Sequence, residues 1–475
     1  MQRMKNIRKI LVLLCCCVLF STVLFGCNTT EESSSADDSS TDTTISGETS
    51  VADSSQEELK PDQYTPNCEM DDTIRNIGLC ISEWGNYMGN IGELNQRFEL
   101  YKEAGFKTVR IGIEWRNIEP QAEGVFTTPA QSYMLMAKKA GMRIKMILGT
   151  IMGVPQWYYN KYPDALMVNQ NGTKALGTPS YFAPELREHF ESSLRGSLEY
   201  LKNANLLEIV DSIVIDCGPA GEPLYPPAWT QQSDGLDNPS GEEYFWGYDT
   251  YSQQNFRESM QEKYGTIAAA NAAWGKSYGS FDQVEVPKPG NGGGGIWEDY
   301  LYWYRDAKRD FVTAQVELYQ KLVNEYSDGR IKLILYIPGS DTTDEVFQQA
   351  VESGDGGGGV RVMADSRFLI DTAKKYGLYL QYTGFENASQ TKYLRDYMDA
   401  SGAGDIPFFG ENAGGYDAVK NGATLVNIIR QNGMAGIDVT HSRWLFDNNT
   451  VQPAKAFDRF KKSMDKLINY LQPRE

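Results

Sequence analysis

From about residue 70 onward, short β-type runs alternate with amphipathic helical stretches, and this alternation limits what the chain can fold into. Parallel strands need crossover connections of a dozen or more residues, usually helical, so strands spaced by helices form a parallel sheet. The runs that read as strands are Ile77–Ile81, Thr108–Ile113, Arg143–Leu148, Asp211–Ile215, Ile331–Ile337, Leu378–Tyr382, Pro407–Gly410 and Ile437–Thr440. Between them, apolar residues recur at helical spacing in Leu94–Ala104, Ala130–Ala140, Glu185–Leu201 and Ala418–Arg430. Eight strands are the number at which such a sheet closes on itself. The expected fold is therefore α/β, a (β/α)8 TIM barrel over residues 69–475. A long insertion after strand four, from about 219 to 300, carries helices around 249–264 and 266–274. The stripe Val312, Val316, Tyr319 and Val323 marks a helix facing the core. Gly292–Gly295 and Gly356–Gly359 read as flexible loop tips; neither has the strand–loop–helix setting of a phosphate cradle.

The N-terminal segment is of another kind. Arg3, Lys5, Arg8 and Lys9 precede the apolar stretch Ile10–Phe25, which is short for a membrane span. It runs into Leu24-Phe25-Gly26-Cys27, which resembles a bacterial lipobox. The expectation is a lipoprotein signal peptide at 1–26, lipid on Cys27, and an enzyme held outside the cytoplasm on the cell membrane. Residues 27–68, rich in Ser, Thr, Asp and Glu, read as a disordered acidic tether. Of 7 Cys, three leave with the signal and one carries lipid; Cys68, Cys80 and Cys217 form no disulfide or metal-binding pattern. With 2 His, a histidine zinc site is not expected, and no metal or cofactor is called for. A net charge of −18 repels nucleic acid and anionic polymers, leaving a neutral glycan as the suitable partner.

Barrel enzymes assemble their sites at the C-terminal ends of the strands. Two glutamates fall there in suggestive surroundings: Glu222, in Gly218-Pro219-Ala220-Gly221-Glu222-Pro223 after the fourth strand, and Glu411, directly after the seventh in Phe409-Gly410-Glu411-Asn412. Glu83, Glu114 and Glu386 also stand at strand ends. Glycosidic cleavage needs one carboxylic acid to protonate the leaving oxygen and one carboxylate to act at the anomeric carbon, directly or through water. An apolar, Gly- and Pro-rich setting desolvates Glu222 and raises its pKa, as an acid requires.

The stretch Gly218-Pro219-Ala220-Gly221-Glu222-x-x-Tyr225-Pro226 resembles the acid motif of the β-amylase family of glycoside hydrolases, and Gly410-Glu411-Asn412-Ala413 is similar to its base motif. Weaker likenesses are Pro155-Gln156-Trp157, Trp303-Tyr304, Thr383-x-x-Glu386 and Arg443. The resemblance implies an inverting glycosidase with Glu222 as acid and Glu411 as base, and it implies that Thr383, Glu386, Asn412 and Arg443 touch sugar. Departures point to a rebuilt sugar pocket. Gly112 stands where the family has an Asp, with Glu114 nearby; Tyr336 replaces a Lys, Asp341-Thr342 a His-Trp pair, and Leu224 an Arg. The family's mobile loop after strand three is shortened to Thr150–Val154. Trp84, Trp157, Tyr225, Trp229, Trp246 and Trp444 are candidate sugar platforms or packing groups. Two other readings stand beside the first: a retaining barrel glycosidase of the β-galactosidase type, and a catalytically silent surface glycan-binding lipoprotein.

Overall fold

The computed structural model describes residues 64–472, apart from 84–90, 125, 128–129, 150–152, 229–241 and 448–450. In chain order its strands are β1 (Leu79–Ser82), β2 (Thr108–Ile113), β3 (Arg143–Leu148), β4 (Leu166–Val168), β5 (Lys174–Pro179), β6 (Val210–Val214), β7 (Lys332–Ile337), β8 (Tyr379–Tyr382), β9 (Phe408–Glu411) and β10 (Ile437–Val439). All except β4 and β5 close into one barrel in the order β1-β2-β3-β6-β7-β8-β9-β10. The pairing is parallel, and β2 and β3 keep register over their whole length, from Thr108 beside Arg143 to Ile113 beside Leu148. This is the expected (β/α)8 barrel, with strand ends displaced by a residue or two in places. The antiparallel β4–β5 hairpin had no sequence signature, since a strand of three residues is too short to display a period of two.

Alternation along each strand separates two cores. Val109, Ile111, Ile113, Ile144, Met146, Leu148, Leu333, Leu335 and Ile337 face outward and pack on the surrounding helices. Ile147, Val214, Ile334, Tyr336 and Phe409 face inward, where Ile74 and Ile77 of the short helix Asp72–Ile77 join them. Val312, Val316, Tyr319 and Val323 are all buried in the outer core, on a helix that runs from Gly295 to Ser327.

The insertion after β6 has its own core. Phe245, Trp246, Trp274, Trp297, Tyr300, Trp303 and Tyr304 pack together there, with the helices Thr250–Tyr264 and Ile267–Trp274 closing over them. Trp246 is fully buried and donates its indole N–H to the Pro226 carbonyl at 3.0 Å, so it is a packing group. Gly358 and Gly359 do not form a loop tip. They open the short helix Gly358–Val362, whose Arg361 ties it to the insertion through the Glu243 carbonyl at 2.8 Å. The last residues of the expected tether are also held to the barrel body: the Asn67 amide donates to Gly433 O at 2.5 Å and its side chain to Gly404 O at 3.1 Å. The expected signal segment, Cys27 and most of the tether lie outside the described residues, as do Trp84 and Trp229.

Candidate active site

At the C-terminal end of the barrel a cavity of about 730 Å³ opens, and both Glu222 and Glu411 line it. Glu411 is the last residue of β9 and points inward by alternation with the buried Phe409. Its Oε2 accepts from Arg110 Nη1 at 2.6 Å and from the Gln381 amide at 2.5 Å, and its Oε1 accepts from the Thr440 hydroxyl at 3.0 Å. Three donors, on β2, on β8 and just past the end of β10, thus fix the rotamer of one carboxylate.

Arg110 is the hub of that arrangement, and it was not singled out from the sequence. From the interior of β2 it also donates to Tyr336 Oη at 2.6 Å and to the Ser82 hydroxyl at 3.0 Å, and it lies 3.3 Å from Asp438 Oδ2. Lys145 on β3 lies 3.1 Å from the same Asp438 oxygen and donates to Gln381 Oε1. Arg110, Lys145, Asp438 and Gln381 are almost wholly buried. A signal for them existed: each is one strongly polar residue amid an apolar strand, as in Val109-Arg110-Ile111 and Ile144-Lys145-Met146. Such a residue faces inside or outside according to register, and register decides whether it reaches a partner.

Glu222 stands on the loop after β6, next to the single turn Pro219–Gly221. That turn holds Ala220 at φ 58° and Gly221 at φ 85°, left-handed backbone that turns the chain sharply back over the barrel mouth. Gly218 is needed for a steric reason, since a Cβ there would lie 2.3 Å from the Glu222 carbonyl oxygen. Burial pushes the Glu222 carboxyl up to about 7; the hydrogen bond from Thr383 opposes this, and the nearby negative charge of Glu411 adds to it. The two carboxyls in one cavity therefore have contrasting surroundings: one is desolvated with a single hydroxyl donor, the other clamped by a guanidinium, an amide and a hydroxyl.

Tyr336, Thr383, Glu386 and Asn412 line the same cavity. Tyr336 does not replace the positive charge that the resemblance led us to seek there; it bonds to Arg110, so the cation comes from β2 instead. Glu386 accepts from the Ala413 amide at 3.0 Å through Oε1, while its buried Oε2 has no hydrogen-bond partner among the described residues, and burial raises its pKa. The Asn412 side chain is committed to backbone: its oxygen accepts from Thr440 N at 2.8 Å and its nitrogen donates to Tyr416 O at 3.0 Å. It braces the loops after β9 and β10.

Four other expected sugar contacts do not line the cavity. Glu114 caps the short helix Trp115–Ile118 and pairs with Arg116. Trp157 packs among Trp115, Tyr158 and His189, its N–H spent on Glu119 O at 2.9 Å. Tyr225 is buried and stacked on Tyr304 with ring centres 3.9 Å apart. Arg443 sits beside the cavity, donating to the rim residue Gly414 at 3.1 Å and lying over the Trp444 ring. For Trp157 and Tyr225 the packing alternative is the one observed; composition cannot distinguish a ring facing solvent from one facing another ring. His441, unremarked in the sequence, does line the cavity, and burial together with Arg443 and Arg110 lowers its pKa to about 4, so the imidazole is neutral.

With this geometry in hand, the likenesses to known proteins fall into place. Residues 185–328 match the model of glycosyl hydrolase family 14, and residues 89–185 match a β-galactosidase model. A β-amylase of Bacillus cereus is 24% identical over 252 residues, 50% of this chain and 45% of that protein. A β-galactosidase of an Arthrobacter species is 31% identical over 196 residues, 40% of this chain and 25% of that one. Among solved structures, the catalytic domain of the β-amylase from Paenibacillus polymyxa superposes with a TM-score of 0.68 at 20% identity, covering 83% of this chain and 99% of that domain. A β-galactosidase from the psychrophile Marinomonas ef1 superposes with a TM-score of 0.56 at 14% identity, over 82% and 59% of the two chains. The matched stretch spans between 20% and 50% of the length of these curated relatives. Fold and likenesses together define the class: a barrel of the glycoside hydrolase type. Within that class the chain is β-amylase-like and divergent, with a β-galactosidase-like segment at residues 89–185.

Proposed function

We propose that this chain hydrolyses glycosidic bonds of a neutral oligo- or polysaccharide by inversion, Glu222 protonating the leaving oxygen and Glu411 drawing a proton from the attacking water. The observation that carries the reading is the contrast between two carboxyls in one cavity: Glu222 is pushed up to about 7 by burial, whereas Glu411 is held by Arg110, Gln381 and Thr440. Environments that differ in this way assign acid and base roles to a carboxyl pair. The free Oε2 of Glu386 and the neutral His441 offer hydrogen-bonding groups for sugar hydroxyls. The β-amylase-like segment 185–328 contains Glu222 and supports the same mechanism. Because Gly112 presents no side chain and Tyr336 is engaged by Arg110, a glucose chain end lacks two of its expected partners, and starch is a poor substrate on this reading. The test is a panel of α- and β-linked glucans and galactans, with the anomer of the first product followed by NMR.

A second reading, retention with Glu411 as nucleophile, is favoured by one feature: the β-galactosidase-like segment 89–185 includes Arg110, which holds Glu411. The same NMR experiment separates them, since inversion and retention yield opposite anomers. For location, we propose the lipid-anchored placement outside the cytoplasm that Leu24-Phe25-Gly26-Cys27 suggests.

A further inference from the structure

The helix Gly295–Ser327 turns a polar stripe towards the loop that carries Glu222. Tyr304, Lys308 and Gln315 lie four and seven residues apart, which places them on one helical face. Lys308 is 3% exposed, and its ammonium makes three hydrogen bonds: to Cys217 O at 2.8 Å, to Leu224 O at 2.9 Å and to Tyr181 Oη at 2.7 Å. The first two acceptors bracket Glu222, five residues before it and two after. Gln315 donates to Asp216 O at 2.8 Å, and Tyr304 O accepts the Tyr225 hydroxyl at 2.9 Å. No carboxylate lies within ion-pairing distance of Lys308 among the described residues; carbonyl dipoles, the faces of Tyr181, Tyr225 and Phe311, and the more distant buried Asp216 favour its charge.

A buried ammonium without a contacting carboxylate is costly, and surface anchoring would not require one. What it provides here is three donors at one point, joining both ends of a loop that holds Ala220 and Gly221 in left-handed backbone. We propose that Lys308 is a positioning residue for the general acid: by tying Cys217 O to Leu224 O it holds Glu222 at its place in the cavity wall and keeps water from its carboxyl. Burial lowers the Lys308 pKa to about 7, so the clasp itself weakens in mildly alkaline solution. The inference rests on Glu222 being the acid.

The experiment compares Lys308→Met, Gln315→Leu and Glu222→Gln with the full-length parent on two glycosides of one accepted sugar, one with an alkyl leaving group and one with an activated dinitrophenyl leaving group that departs without a proton. Because displacement by about 1 Å costs roughly 10²-fold, Lys308→Met is expected to lower kcat on the alkyl glycoside by about 10–100-fold with little change in KM. On the dinitrophenyl glycoside the loss should be under about threefold, and the alkaline limb of kcat/KM should move to lower pH as the acid becomes hydrated. Gln315→Leu, which removes the tie to Asp216 O and leaves Lys308 in place, should show the same pattern more weakly and covers the case in which Lys308→Met fails to fold. Equal losses on both substrates, or an unmoved alkaline limb, in folded variants would overturn the proposal. If Glu222→Gln itself shows no dependence on leaving group, the acid assignment fails instead, and the two failures are thereby told apart.

Discussion

At Glu222 the decisive quantity is where the proton resides near neutral pH. Its pKa is raised to about 7, so the acid is protonated below that value and loses its proton as pH rises through it. Activity is therefore expected to hold on the acid side and to fall above pH 7, where Lys308 also loses its proton, and kcat/KM profiles of the parent and of Lys308→Met separate the two contributions. The same shift has a stability sign. The protonated carboxyl is favoured in the folded protein, so its contribution is fully present below the unfolded carboxylate pKa and is lost as pH rises through the folded one. Glu222→Gln should accordingly melt higher than the parent above pH 7, while its kcat falls by about 10²–10⁴-fold. A Gln variant with parental turnover on a confirmed substrate would remove Glu222 from the mechanism. Glu411→Gln should lose kcat on the same scale, but its melting temperature should fall, because a neutral amide leaves the buried Arg110 without one of its anions.

At the scale of elements, the charges inside β2, β3 and β10 act as one layer beneath the cavity. Arg110→Met removes the cation shared by Glu411 and Asp438 and is expected to cost about 3–5 kcal/mol of unfolding free energy, the usual penalty for leaving buried partners unpaired. Lys145→Met should cost less, because Asp438 keeps Arg110 at 3.3 Å. Denaturant titration of the two variants ranks them, and a milder Arg110 variant would contradict the hub role. On β9, Gly410 lies against Phe385, with a built Cβ only 2.6 Å from the ring. Gly410→Ala should displace Phe385 or the strand itself, at about 1–3 kcal/mol, and should reduce activity because Glu411 is the next residue.

For the whole molecule, two expected outcomes concern what the chain does and where. β-Maltose release from starch should be slow against release from the preferred glycan in the panel, and efficient β-maltose production would show that the sugar pocket is less altered than Gly112 and Tyr336 imply. On the lipid-anchored placement proposed above, Cys27→Ser removes the proposed acyl attachment point and should move the protein from the membrane fraction to the soluble one. Persistent membrane association of the Ser variant would point to a retained N-terminal helix.

The barrel was legible in the sequence because hydrophobic periodicity is a local property. Thr108–Ile113 and Arg143–Leu148 coincide with β2 and β3 because six residues suffice to show an apolar strand bounded by Gly and helix signals. That Glu222 and Glu411 line the cavity was legible because both follow strands and carry the β-amylase-like motifs around them. Arg110, Lys145 and His441 were not, and Trp157 and Tyr225 stayed open between platform and packing, for a common reason: whether such a side chain lines the cavity depends on strand register and on how the insertion packs. Arg110 meets a glutamate 301 positions away, and Lys308 reaches a carbonyl 91 positions away. Local sequence determined which strands form and where carboxylates cap them; only barrel closure, which brings distant strands side by side, decided which charges meet and which side chains line the cavity between Glu222 and Glu411.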